Sequence, residues 1–157
     1  MLIFNPEPTM EEARSLRQDA ENSEARQQQA LSDAESADRD AEQAQSEADG
    51  YAAEADSQRS DASSLDPDSA EARILEGNAA DNDTRQREAM SSVQASQSRA
   101  ADLRSQAASY GEEVSNYNQE ADAAEEAAAR DDEDQNNHDR NRTIARNAVR
   151  AIDRMDN

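Results

Sequence analysis

The densest set of side chains able to hold a cation is Asp131-Asp132-Glu133-Asp134, followed by Gln135-Asn136-Asn137. Adjacent carboxylates beside amide oxygens are the hard ligands that Ca²⁺ or hydrated Mg²⁺ take. An EF-hand alternates its ligands about a central Gly and closes on a Glu, and that pattern is missing here. The favoured reading is therefore a solvated acidic hinge, with Asp131, Asp132 and Asp134 the candidate metal ligands should a cation bind. The remaining chemistry is sparse. One His, His138, and no Cys leave no two-histidine metal site, no thiolate nucleophile and no disulfide. Gly50, Gly77 and Gly111 stand singly, so no Gly-rich loop can cradle a phosphate. No catalytic residue and no cofactor site is expected, and the chain reads as non-enzymatic.

The other group with a chemical purpose is basic. Between His138 and Asn157 lie Arg140, Arg142, Arg146, Arg150 and Arg154 against Asp139, Asp153 and Asp156, a local balance of +2 where the other 137 residues carry -23. Arg142, Arg146, Arg150 and Arg154 are four apart, while Ile144, Ala145, Ala148, Val149, Ile152 and Met155 recur at helical spacing. This pattern predicts a short amphipathic helix over 139–157, with His138 in the hinge before it. Three uses compete: folding back on an acidic flank, docking in a partner's groove, or touching nucleic-acid phosphate. The partner-binding candidates here are Arg142, Arg146, Val149, Arg150, Ile152 and Arg154. Nucleic acid is disfavoured, because the aromatics and broad basic field it wants are lacking. At the other terminus Leu2, Ile3 and Phe4 form the densest apolar patch and lead a Pro-bearing tail, residues 1–8. They are read as inserting into a partner.

Two arrays of small residues must position these groups. Stepping three then four residues from Ala13 gives Leu16, Ala20, Ser23, Gln27, Ala30, Ala34, and so on to Tyr51, Ala55, Gln58, Ala62 and Leu65. Seven of the eight a positions in this array are Ala. A second array runs from Ala72 and Leu75 through Asn82, Val93, Leu103, Tyr110, Val114 and Tyr117 to Ala128. A 3.5-residue repeat sustained over so many heptads predicts a left-handed coiled coil. Its seam is expected to include Leu16, Ala34, Tyr51, Leu75, Val93, Leu103, Tyr110, Val114 and Tyr117. The fold class is thus all-α: a long antiparallel coiled-coil helical hairpin with an Ala-rich seam, plus a short C-terminal amphipathic helix.

Between the arrays, Asp66 is expected to cap a new helix with Pro67 at its first position, where no N–H is needed. The expected organisation is a tail over 1–8, helix 1 over 9–65, a turn at 66–69, helix 2 over 70–130, the acidic hinge at 131–138 and the basic helix over 139–157. Thr9 and Glu12 form the Thr-x-x-Glu pattern of a capping box. A register in which facing a and d residue numbers add to 137 sets large residues against small ones: Leu65 faces Ala72, Ala34 faces Leu103 and Ala20 faces Tyr117. It brings Tyr51 to Gln86 and Gln27 to Tyr110, and on the flanks Asp40 to Arg99, Glu54 to Arg85 and Arg59 to Glu76. Leu31, Ala52 and Met90 stand at e positions, and Leu31 and Met90 are candidates for lateral packing into a larger bundle.

Composition completes the reading. The 157 residues hold 37 acids, 16 Arg and no Lys, for a net charge of -21, with 32 Ala and only 14 Leu, Ile, Val and Phe together. That apolar share is far below the roughly 20% at which a conventional core becomes doubtful. An acidic, Lys-free, Ala-rich chain resembles proteins of salt-accumulating halophilic archaea and their viruses. The resemblance implies a cytoplasmic protein of such a halophile or part of a virion. In molar salt the Debye length falls to about 3 Å, which screens carboxylate repulsion. Salting-out ions also strengthen weak apolar burial. No apolar run approaches the ~20 residues that cross a bilayer. The function expected is a structural or assembly component: a rigid helical spacer attached through its ends, with protein partners, and a homo-oligomer or larger assembly. The alternatives are an adaptor or regulator gripping a client through the Arg-rich helix, and a nucleic-acid-associated protein using the Arg ridge.

Overall fold

The computed structural model describes residues 9–155. Its regular structure there consists of α1, Met10–Ser63, and α2, Ala70–Met155. The two long helices pack against each other, and no strand occurs among the described residues.

Local chemistry sets the helix starts. The Thr9 Oγ1 accepts from the Glu12 N–H at 3.3 Å, and the carboxylates of Glu11 and Glu12 lie in the first turn, where the helix dipole favours negative charge. At the connection the cap differs from expectation. Ser69, not Asp66, caps α2: its Oγ accepts from the Ala72 N–H at 3.2 Å. Asp66 instead builds the turn, its Oδ1 accepting from the Asp68 N–H at 3.1 Å and its carbonyl from the Ser69 N–H at 2.9 Å. Pro67 thereby occupies the second turn position, which its fixed φ suits, rather than the first helical one.

The chain divides into two units, residues 26–110 and residues 1–25 with 111–157. In the first, Asn82 Nδ2 donates to Gln58 Oε1 at 3.0 Å across a separation of 24 residues, and Arg104 pairs with Asp38 across 66. In the second, Ser23 Oγ donates to Glu113 Oε2 at 3.1 Å across 90 residues, and Arg17 reaches Asp122 across 105. Within each unit the separation widens away from the turn, so the helices run antiparallel.

Every buried residue, from Ala13 to Ala124, stands in one of the two spaced arrays, and all but Val93, Ser23 and Asn82 are Ala. The larger array members, Leu16, Tyr51, Leu75, Leu103, Tyr110, Val114 and Tyr117, are half-buried. The cause is geometric: an Ala facing a Leu or Tyr brings the backbones close but has too little surface to cover the larger side chain. The small member of such a pair is itself covered, as Ala34 and Ala121 are at 1% and 0% exposure, while the larger one is left partly open. The two buried polar side chains, Ser23 and Asn82, are both hydrogen-bonded, as buried polar groups must be.

Register follows from the edges. Arg59–Asp83, Asp38–Arg104 and Arg17–Glu125 each join the residue after d on one helix to the residue after d on the other. All three pairs share one total of residue numbers, 142, which is one of the two e-to-e totals next to an a-to-d total of 137. The particular partners differ from those expected. Arg59 takes Asp83 rather than Glu76, the equivalent position one heptad away and equally within reach of its long stem. Arg85 lies over the Tyr51 ring at 5.9 Å rather than against Glu54, since a half-buried ring offers a cation a fixed, partly dry surface. Neither Asp40–Arg99 nor hydrogen bonds joining Tyr51 to Gln86 and Gln27 to Tyr110 occur among the described residues.

The largest departure is at 131–138. No hinge interrupts the chain there: α2 runs unbroken to Met155, and no separate terminal helix begins at 139. The heptad failure removes a packing partner, but the segment holds neither Pro nor Gly, and Asp and Asn weaken a helix by only about 0.7 kcal/mol or less per residue. His138 is accordingly an exposed helical residue.

Ala55, Ala100 and Ala121 are fully enclosed, at 0% exposure. Replacing Ala100 with Leu overfills its layer and should lower stability by about 1–3 kcal/mol, read as a shifted urea midpoint. Ala101→Leu, one residue along and exposed, should change it by less than about 0.5 kcal/mol.

Candidate partner-binding surface

From Ala129 to Met155 every residue of α2 is exposed. Among the described residues no helix lies alongside this stretch: α1 begins at Met10, and Ala127 and Ala128 are the last half-buried residues of α2. At about 3.6 residues per turn, Ile144, Ala145, Ala148, Val149, Ile152 and Met155 share one face, with Arg146, Arg150 and Arg154 behind it. Arg140 and Arg142 stand at its two edges. Ile144 is 64% exposed, Val149 and Ile152 57% and Met155 81%, four of the seven exposed large hydrophobic side chains among the described residues. Ile144 and Met155 belong to this face as fully as Val149 and Ile152, although the sequence reading passed them over as site residues; their spacing was the available signal.

The other anticipated residues are scattered. Leu31 is 44% exposed and Met90 half-buried, both within the unit of residues 26–110. Leu2, Ile3 and Phe4 lie outside the described residues. Asp131, Asp132 and Asp134 project from an exposed helical turn, and no group of three or more His, Cys, Asp or Glu side chains converges on a possible metal position among the described residues. The same residues include no helix long and apolar enough to cross a membrane.

Two features are legible only in three dimensions. Arg17 bridges to α2 at three places, donating to Asn118 Oδ1 at 2.9 Å, Asp122 Oδ1 at 2.5 Å and Glu125 Oε1 at 3.3 Å. The hydrogen bond to Asp122 raises the guanidinium's pKa, partly offset by loss of solvent, and the Glu125 charge adds to the rise. Leu16, Ala123 and Ala124, with Ser15, Glu12 and Glu120, line an open cleft of about 560 Å³. Compared with protein-family models, curated proteins and solved structures, the chain matches none.

An unpartnered helix is marginal in water, because most helical stability comes from packing. Amide hydrogen exchange should therefore be fast from about residue 135 to Met155 and slow around Ala55, Ala100 and Ala121. Strong protection at Ile144–Ile152 in the dilute protein would contradict the exposed placement of that face.

Proposed function

We propose that this protein is a non-enzymatic structural or assembly component of a halophile, in which the paired helices serve as a spacer and the segments beyond them attach to other proteins. A virion or tail component of a haloarchaeal virus fits this reading. The observation that carries it is the uncovered apolar face at Ile144–Met155, on a helix that continues past the end of its packed partner. A chain whose packed part encloses almost nothing but Ala has little apolar material to spare, and here much of it is held out of the core.

We also propose that the packed part is a left-handed coiled coil. Support comes from the heptad placement of every buried residue and from the common register of the edge ion pairs. The halophilic setting is supported by the net charge of -21 and by a chain whose basic residues are all Arg, with no Lys. High salt would screen that charge and add to the weak burial per Ala layer.

A second reading, an adaptor holding a client protein through residues 139–155, is favoured by the same exposed face with its flanking Arg140 and Arg142. It differs in needing a foreign partner, whereas the assembly reading predicts self-association or sibling subunits. Circular dichroism with light scattering from 0.1 M to 3 M KCl separates them. The assembly reading expects helix content to rise with salt and the mass to reach a multiple of 17.2 kDa. A helical monomer throughout that also binds no sibling structural protein in molar salt would overturn it and leave the adaptor.

A further inference from the structure

Resting on the assembly reading, the geometry points to a head-to-tail contact in which the Ile144–Met155 face of one copy occupies the Leu16–Ala123–Ala124 cleft of a second copy. Each surface has what the other lacks. The cleft offers a shallow apolar floor, small because two of its three apolar residues are Ala, between two carboxylates, Glu12 and Glu120. The face offers side chains that project, Ile144, Ile152 and Met155, between two guanidinium groups, Arg140 and Arg142. Arg146, Arg150 and Arg154 point away from the contact, so docking would not bury them. Burying a charge without a partner costs several kcal/mol.

Charge selects the occupant. The face lies in the one stretch with a positive balance, +2, and the most abundant acidic surface available to a concentrated solution of this protein is its own remaining 137 residues at -23. Face against face would instead bring like-charged stretches together and leave both glutamate-rimmed clefts empty. A face-to-cleft contact uses two different patches, so it is heterologous and repeats: each copy still has a free face and a free cleft after the first contact. Such contacts close into rings or continue as filaments, which suits an assembly component.

The absence of Cys permits a direct test in the full-length chain. Ala123→Cys and Ile152→Cys are both made at exposed helical positions, each variant is checked for unchanged helicity, and the two are mixed in molar KCl under mild oxidation. The expected result is a disulfide dimer formed between A123C and I152C, and not from either variant alone. Glu120→Arg in the A123C chain should reduce the cross-linking rate about tenfold, and Arg142→Glu in the I152C chain should restore most of it. Cross-linking of I152C with itself would mean face-to-face pairing and would overturn the proposal, as would equal rates for all combinations or no cross-link at all. If the mass rises with salt while A123C and I152C fail to join, this contact falls and the assembly reading stands. If the chain stays monomeric, this contact falls, and the assembly reading falls with it only if no sibling structural protein binds either.

Discussion

Close approach of two helices across alanine is the constraint on which the rest of this structure depends. Alanine at nearly every buried position lets the backbones come together, keeps helix propensity high and avoids side-chain entropy loss. It also means that each layer removes little apolar surface from water, at roughly 25 cal/mol per Å². Length compensates for thinness, with 54 residues in α1 and a continuous packed run along α2. The Leu and Tyr residues of the seam are left half-buried, because the small residues across from them cannot cover them, whereas the smaller Val93 is enclosed.

Specificity therefore rests on polar contacts more than on shape. A seam of Ala fits itself in several registers, since sliding by one heptad still sets Ala against Ala. Asn82 with Gln58, and Ser23 with Glu113, are satisfied in one register only, and a buried amide without its partner is costly. The edge pairs Arg59–Asp83 and Asp38–Arg104 point to the same register. Exposed ion pairs contribute about 0–1 kcal/mol each, so their effect is to choose among alignments rather than to hold the helices together. Arg17, with three acceptors on α2, does the same for its own unit.

The unpacked part of α2 has a different logic. Where packing ends the sequence changes character twice, first to a run of acids and amides and then to alternating apolar and Arg positions, yet the backbone does not break. A helix needs no partner to remain continuous if nothing in it forbids the helical dihedrals, and residues 131–155 contain no Pro or Gly. The result is an amphipathic surface carried on the same element that forms the packed pair.

Much of this was readable from the residues alone. The 3–4 spacing of Ala, with Leu and Tyr in the same rows, determines two amphipathic helices, and Pro67 between the rows determines that there are two. The apolar and Arg rows after residue 139 likewise determine an amphipathic face. Local chemistry was not enough to choose Ser69 over Asp66 as the cap, because both residue types can accept from free N–H groups and only the path of the turn selects one. Nor could composition decide whether 131–138 bends, since heptad failure reports the loss of a neighbour and not the loss of a helix. The choice of Asp83 over Glu76 for Arg59, the ring of Tyr51 for Arg85, and the cleft beside Leu16 all depend on which side chains of two helices meet in space. Spacing along one chain specifies a face; what that face meets is decided only when the second helix is in place.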